Sequence, residues 1–429
     1  MNEQQQKILR DPGFSLDAVR RDFPYLEEEQ PVIYLDNAAT TQRPRQVLER
    51  MQQFYAHENA NPLRGNHRLS LYATQAYEQA REHVARFIGA KSAREIVFTR
   101  NATESLNLIA YNYALYVLKP GDEVLITRME HHSNCVNWQF ACQQSGATLR
   151  YVELGEDYQL DEADFEAKLS EKTKVLAFSA ASNVIATLPP VKAMIAKAHA
   201  VGATVVVDGA QYAPHSPVNV TDWDCDFFAF SGHKMGSPFG IGVLYGKQAL
   251  LEAMPPFLFG GEMIEYVEDT SSTFAELPYK FEAGTMNVGG AVGLDAAITY
   301  LEGLGMENIE AYEKALAAYL AEELEKLGGV TIYRPKHHDC GTMVAFNLDG
   351  AHPHDVSTIM DASDVAIRSG HHCTQPLHRG LHISASCRAS VAFYNTVAEV
   401  DAFLEAVKEV RRVMGIPEAE TQTPYGEEA

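Results

Sequence analysis

Between residues 90 and 245 short, continuously apolar runs alternate with stretches of helical periodicity, and this alternation restricts the fold more than any other feature of the chain. The runs EIVFTR (95–100), EVLITR (123–128), KVLAFSA (174–180), ATVVVDGA (203–210), FFAFSG (227–232) and GIGVLYG (240–246) are predicted strands, and VKAMIAKAHAVG (191–202) and the stretch after Thr103 are predicted helices. Strands that are apolar along their whole length need cover on both faces, and the helices between them supply it as crossovers. The expected class is α/β, with a mostly parallel sheet. Such sheets bind ligands beyond the carboxyl ends of their strands. The polar residues gather at those ends: Asn101-Ala102-Thr103, His131-His132, Ser182-Asn183, Asp208-Gly209-Ala210-Gln211 and Ser231-Gly232-His233-Lys234.

A second, smaller α/β region begins near residue 305. MENIEAYEKALAAYLAEELEKL (306–327) reads as a long amphipathic helix stopped by Gly328-Gly329, with shorter strands after it at 342–348, 365–370 and 387–394. A last helix over 397–414 ends at Gly415. The expected division is a segment 1–20 packing with the small domain, a large domain 21–304, a small C-terminal domain 305–416 and a flexible acidic tail 417–429.

The formal net charge of −22 argues against a nucleic-acid or anionic-membrane surface. No apolar run reaches membrane-spanning length, and MNEQQQKILRDPGF lacks the apolar core of a secretory signal. The six cysteines form no CxxC and read as reduced thiols, which places the expected location in the cytoplasm.

Two residues at the strand ends suggest a chemistry. Asp208 closes the apolar run VVVD, where a carboxylate is costly unless it meets a cation or several donors. Lys234 follows another apolar run, although lysine is strongly hydrated and seldom buried. A lysine able to form a Schiff base, with an aspartate able to face a protonated pyridine nitrogen, is the pairing that pyridoxal-phosphate sites use. Thr103, at a helix start, lies where free N–H groups attract a dianion, and Ser231 and His233 stand ready to join it. His131, after a strand, is placed to lie flat on the ring. Taken singly, each has an ordinary explanation: a helix cap for Thr103, a turn former for Asp208, a structural histidine for His233, a surface lysine for Lys234. Together they fall along one edge of one expected sheet.

A competing metal reading draws on His131-His132-Ser133-Asn134-Cys135 and His371-His372-Cys373. Adjacent His-His pairs converge poorly on one ion, so no metal site is expected.

Beyond these points the segments RRDFPYL, YLDNAATTQRP, RGNHRLS, FTRNATESLNLIA, MEHHSN, SNVIAT, VVDGAQ, DFFAFSGHK, FEAGT, VAIRSGHHC, CRAS and YNT together resemble the group II (SufS-type) cysteine desulfurases, fold-type I pyridoxal-phosphate enzymes related to selenocysteine lyases. The resemblance runs from about Arg20 to Gly415 and implies a seven-stranded sheet in the large domain. It implies Lys234 as the Schiff-base lysine, Asp208 at the pyridine nitrogen, Gln211 at the phenolic oxygen and His131 stacked on the ring. Thr103, Ser231 and His233 would hold the phosphate, and Thr285 would reach it from the second subunit of a homodimer. Asn183 and Arg388 would grip the substrate carboxylate, Arg368 would line the entrance, and Cys373 would be the nucleophile. The implied reaction turns L-cysteine into L-alanine and a persulfide on Cys373. The sulfur would pass to an acceptor protein of the SufE or SufU kind for iron–sulfur cluster assembly, with selenocysteine lyase or another cysteine C–S lyase as the alternative. A free thiol is only a few per cent ionised near neutral pH, and His371, His372 and Arg368 are the neighbours expected to favour the thiolate. Cys387, next to Arg388 on a strand, is expected to face the other way. The loop 235–240, Ala186 in place of the usual glycine and Met286 in place of the common proline depart from the family pattern.

Overall fold

The computed structural model describes residues 1–336 and 339–417; the acidic tail expected from 417 onward therefore lies, past Pro417, outside the described residues. The large sheet has seven strands: β1 (Ile96–Thr99), β2 (Glu123–Thr127), β3 (Thr148–Val152), β4 (Thr173–Ser179), β5 (Thr204–Asp208), β6 (Phe227–Ser231) and β7 (Gly242–Gly246), in the order β1-β7-β6-β5-β4-β2-β3. Only β7 runs antiparallel to its neighbours. Apolar residues alternate between two cores. Val205 and Val207 of β5 face one, with the helices Arg68–Phe87 and Val288–Leu304, while Val206 faces the other, with Ala102–Tyr116 and Val136–Ser145. Two-sided burial is what continuous apolar strands require. β3 was not among the predicted strands: it is an edge strand, TLRYV, whose Thr and Arg interrupt the apolar run.

A second sheet, entirely antiparallel, has β8 (Val330–Tyr333), β9 (Met343–Leu348), β10 (Arg368–Gly370) and β11 (Ser386–Ser390) in the order β8-β9-β11-β10. The predicted strand at 365–370 divides: Val365–Ala366 pairs with Ile33–Tyr34, and β10 pairs with β11 in the second sheet. The helices Met306–Lys326 and Val397–Met414 cover this sheet, the second entered through a Thr396–Glu399 capping box and left at Gly415 with φ +66°. The helix Glu3–Arg10 lies along Met306–Lys326. Among the described residues no helix is long and apolar enough to cross a membrane.

One buried ion pair fixes the segment that carries Thr285. Glu282 accepts from Arg81 at 2.6 and 2.8 Å, from Tyr77 Oη at 2.9 Å and from the Phe98 N–H of β1 at 2.7 Å. Both charged side chains are only 1% exposed. Removing one partner leaves the other as an unpaired buried charge. Glu282→Gln is therefore expected to destabilise the fold by roughly 3–5 kcal/mol, read as a lower urea midpoint by circular dichroism.

Candidate active site

Each strand end contributes one part. β5 ends at Asp208, which is buried and accepts from the Ala210 N–H at 3.0 Å; in the ladder it pairs with Ser179 and Ala229. Burial raises its pKa, opposed by that hydrogen bond and by the charge of Lys234. β6 runs into a single tight turn, Gly232–Lys234, that delivers Lys234 to the same edge. Burial lowers the Lys234 amine to about 8; Asp208 pulls it back up, and Arg388 and Arg368 push it further down. A lysine here is thus a nucleophilic amine near neutral pH.

The anion cradle forms where β1 meets its helix. Asn101 caps Ala102–Tyr116 by accepting from the Glu104 N–H at 2.9 Å, so Thr103 sits inside the first turn and is exposed. The Ser231 hydroxyl accepts from the Ala102 N–H at 2.9 Å, leaving its own proton to donate outward. Gly242 permits this approach: a Cβ there would stand 2.4 Å from the Asn101 Cα. His233 stacks on Phe239 at 5.6 Å between ring centres, and burial, with the charges of Lys234 and Arg43, lowers it to about 4. The carbonyl of His233 is pinned by Thr41 N at 3.2 Å and Thr40 Oγ1 at 3.0 Å. The divergent loop after Lys234 is held too, since Gly236 N–H donates to Thr41 Oγ1 at 2.8 Å.

The Ser133 N–H donates to His131 Nδ1 at 3.1 Å, which puts the ring proton on Nε2. Burial and the charge of Lys234 depress its pKa to about 3, so the ring is neutral and able to lie against another aromatic system. Beneath it, buried Glu130 accepts from Asn134 Nδ2 at 2.7 Å, from Ser179 N at 3.1 Å and Oγ at 2.8 Å, and from Thr127 Oγ1. Burial lifts Glu130 to about 7 against those bonds. The network ties the His131 turn to the end of β4.

The second sheet completes the wall. Arg388, buried on β11, donates to the Asn183 carbonyl at 2.9 Å and to Asp36 at 2.9 Å. Asn183 Nδ2 donates to the His372 carbonyl at 2.8 Å, and the His132 N–H donates to the Cys373 carbonyl at 2.7 Å. The Cys373 loop is thereby fastened to the large sheet, with φ of +48° at His372 and +59° at Cys373, a left-handed pair unusual for non-glycine residues. Cys373 is the one exposed cysteine; Cys387 is buried, its thiol within 3.4 Å of the Pro353 carbonyl on the far side of β11.

All the predicted site residues except Thr285 line one cavity of about 190 Å³. Thr285 is exposed and borders a different hollow, beside Phe257 and Leu258. One expectation is corrected. His372 does not lend charge to the thiol: it is buried, donates from Nε2 to the Ser386 carbonyl at 3.0 Å, and is held neutral by burial with a pKa of about 2. Arg368 and Arg388 are the fixed cations that share the cavity with Cys373. Ser133, Glu130 and Asp36 were given no role from the sequence, although all three stand in quoted motifs, the first two in MEHHSN and the third in YLDNAATTQRP. Ala186 has φ +57°, a left-handed conformation that glycine adopts more readily than alanine. Met286 packs against the first core.

Four buried polar atoms of the cavity residues lack a partner: Gln211 Oε1, His233 Nδ1, His372 Nδ1 and Arg388 Nε. Atoms of this kind are costly when left alone. Arg388 Nε and His233 Nδ1 can donate to anions, whereas Gln211 Oε1 and, with Nε2 carrying the proton, His372 Nδ1 are acceptors. The two donors, with a nucleophilic amine, a buried carboxylate and a helix N-terminus beside them, fit an aldehyde-bearing pyridine phosphate and a carboxylate. Among the described residues no group of three His, Cys, Asp or Glu side chains is placed to hold a metal ion.

Fold and site together define a fold-type I pyridoxal-phosphate enzyme. The aminotransferase class-V family matches residues 33–403, and the chain belongs to it. Its relatives there include cysteine desulfurases. A probable cysteine desulfurase of Synechocystis is 50% identical over 91% of this chain and 94% of its own. The apo cysteine desulfurase of Thermococcus onnurineus superposes with a TM-score of 0.89 at 41% identity, covering 92% of this chain and 98% of that one. The cysteine desulfurase CsdA of Escherichia coli, described as its S-sulfonic acid, superposes with a TM-score of 0.87 at 39% identity, covering 93% and 99%.

Proposed function

We propose that this chain is a pyridoxal-phosphate-dependent cysteine desulfurase that converts L-cysteine to L-alanine and keeps the sulfur as a persulfide on Cys373. The observation that carries the reading is an exposed thiol sharing one cavity with the half-buried amine of Lys234 and the buried guanidinium of Arg388. When bound, the cofactor supplies an electron sink conjugated to the substrate Cα.

The chain's residues do the rest. Lys234 tethers the cofactor aldehyde and moves the Cα proton, a task suited to an amine with a pKa near 8. Asp208 would face the pyridine nitrogen and favour its protonated form, Gln211 would address the phenolic oxygen, and His131 would cover the ring. Ser231, His233, Thr103 and the first turn of Ala102–Tyr116 take the phosphate. Arg388 and Asn183, with Arg368 at the entrance, take the substrate carboxylate. The Cys373 thiolate attacks the substrate sulfur: an S–S bond forms, the Cβ–S bond breaks, and the electron pair left on Cβ takes a proton to become the methyl of alanine.

We further propose a cytoplasmic homodimer, organised as a large unit 21–304 with a small unit 305–416 on which residues 1–20 pack. Its second subunit brings Thr285 to the phosphate. Exposed Phe259 and Phe274, whose rings lie 6.0 Å apart between centres, support a partner copy, since large apolar side chains grouped on a surface mark an interface. The persulfide goes to an acceptor of the SufE or SufU kind for iron–sulfur cluster assembly.

The test mixes the loaded protein with L-cysteine. Alanine, with one added sulfur on Cys373 by peptide mass spectrometry, is expected, and sulfide matching the alanine appears only when a thiol reductant is added to release the persulfide. Pyruvate and ammonia in place of alanine would replace this reading with a C–S lyase. Turnover confined to selenocysteine would replace it with a selenocysteine lyase.

A further inference from the structure

Arg368 on β10 and Arg388 on β11 are direct cross-strand partners. Like charges in that position repel, and one of these is buried. Asp36 lies against both: its Oδ1 is 2.9 Å from Arg388 Nη2, and its Oδ2 is 3.9 Å from Arg368 Nη1. Asp36 does not itself line the cavity, and it is fastened from behind. The Ser390 N–H of β11 donates to the Leu35 carbonyl at 2.7 Å, and residue 36 bridges Ser390 along the backbone. The aspartate therefore keeps station with the strand that carries Arg388. The guanidinium spends one N–H on Asn183 and one on Asp36, while buried Nε has no partner. Two cations and one anion leave a net charge of +1 and an open donor.

Resting on the reading of Arg388 and Arg368 as the carboxylate grip, we propose that Asp36 is the counter-charge of that grip. It is a positioning residue that orients Arg388 through its hydrogen bond and, through its charge, matches the pair to a single carboxylate held loosely enough to leave. The hydrogen bond and the charge act in opposite directions on affinity, so two substitutions separate them. Asp36→Asn keeps an acceptor for Nη2 and removes the charge, so L-alanine binds more tightly. Asp36→Ala removes both, Arg388 loses its orientation, and alanine binds more weakly.

The experiment is calorimetric titration of the loaded protein with L-alanine and, separately, with cysteamine, which has the amine and thiol but no carboxylate. Asp36→Asn is expected to tighten alanine by roughly three- to tenfold, the effect of removing one partly screened charge. The KM for cysteine should fall in step, and kcat should not rise. Asp36→Ala is expected to weaken alanine, and both variants should bind cysteamine like the parent. Adding Arg368→Gln to Asp36→Asn restores the net charge and should return alanine affinity toward the parent value. The proposal is overturned if both Asp36 variants shift alanine the same way, if the double variant does not recover, or if cysteamine binding falls with alanine binding. Because alanine titration needs no turnover, absence of cysteine desulfuration in the parent would defeat the functional reading alone.

Discussion

Lys234→Ala is expected to lower cysteine turnover by at least about a thousandfold, the range for losing a positioned general acid–base group, and to abolish covalent retention of the cofactor. The two losses share one origin, because the same amine both anchors and moves protons. Borohydride treatment of the loaded parent should fix the cofactor on the peptide containing residue 234; the alanine variant should release it on denaturation. A pH dependence follows from the environment of the amine. An aldehyde is attacked by the neutral amine only. Burial lowers this one to about 8, with Asp208 opposing and Arg388 and Arg368 assisting. The rate at which cofactor-free protein takes up pyridoxal phosphate should therefore rise with pH and reach half its plateau near pH 8, where an ordinary lysine would still be climbing past pH 10. A plateau reached only above pH 10 would place Lys234 in water and detach it from the site.

The strand ends were legible because burial on both faces leaves a simple record. A run such as ATVVVDGA has no amphipathic reading, and a charged residue closing it has to be explained. The edge strand β3 left no such record, since one of its sides is open and Thr and Arg are tolerated there. The less legible half of the site is held together by contacts that no local pattern encodes. Asp36 and Arg388 lie 352 residues apart, and Asn183 meets the His372 carbonyl across 189. Nothing in YLDNAAT announces that its aspartate will oppose a pair of arginines. His372 makes the same point in reverse: a histidine beside a reactive thiol reads as a source of charge, but the fold buries it against Ser386 and holds it neutral. Charge at a site is a property of burial, and burial is the part of the structure a single sequence states least directly.

Cys373→Ser separates the two halves of the chemistry. Serine keeps the shape of the loop and removes the sulfur-accepting atom. Cofactor loading should be unchanged, because none of the residues assigned to it lies in the Cys373 loop. Cysteine turnover to alanine should fall by at least about a hundredfold, the scale on which a nucleophile in a reacting constellation is lost, and no persulfide should form. The structure makes the loop fit for this role in a way that can be tested independently. The left-handed backbone at residues 372 and 373 is held by hydrogen bonds from Asn183 Nδ2 to the His372 carbonyl and from the His132 N–H to the Cys373 carbonyl. The thiol is therefore presented from a fixed turn, with no long arm to swing. Selenocysteine supplies the contrast, since a carbon–selenium bond breaks more readily than carbon–sulfur and has less need of an attacking thiolate. If Cys373→Ser loses cysteine turnover but keeps selenocysteine turnover, the thiol serves the harder bond only. If both substrates are processed at the parent rate, Cys373 is outside the mechanism, and the sulfur must leave the cavity by another route.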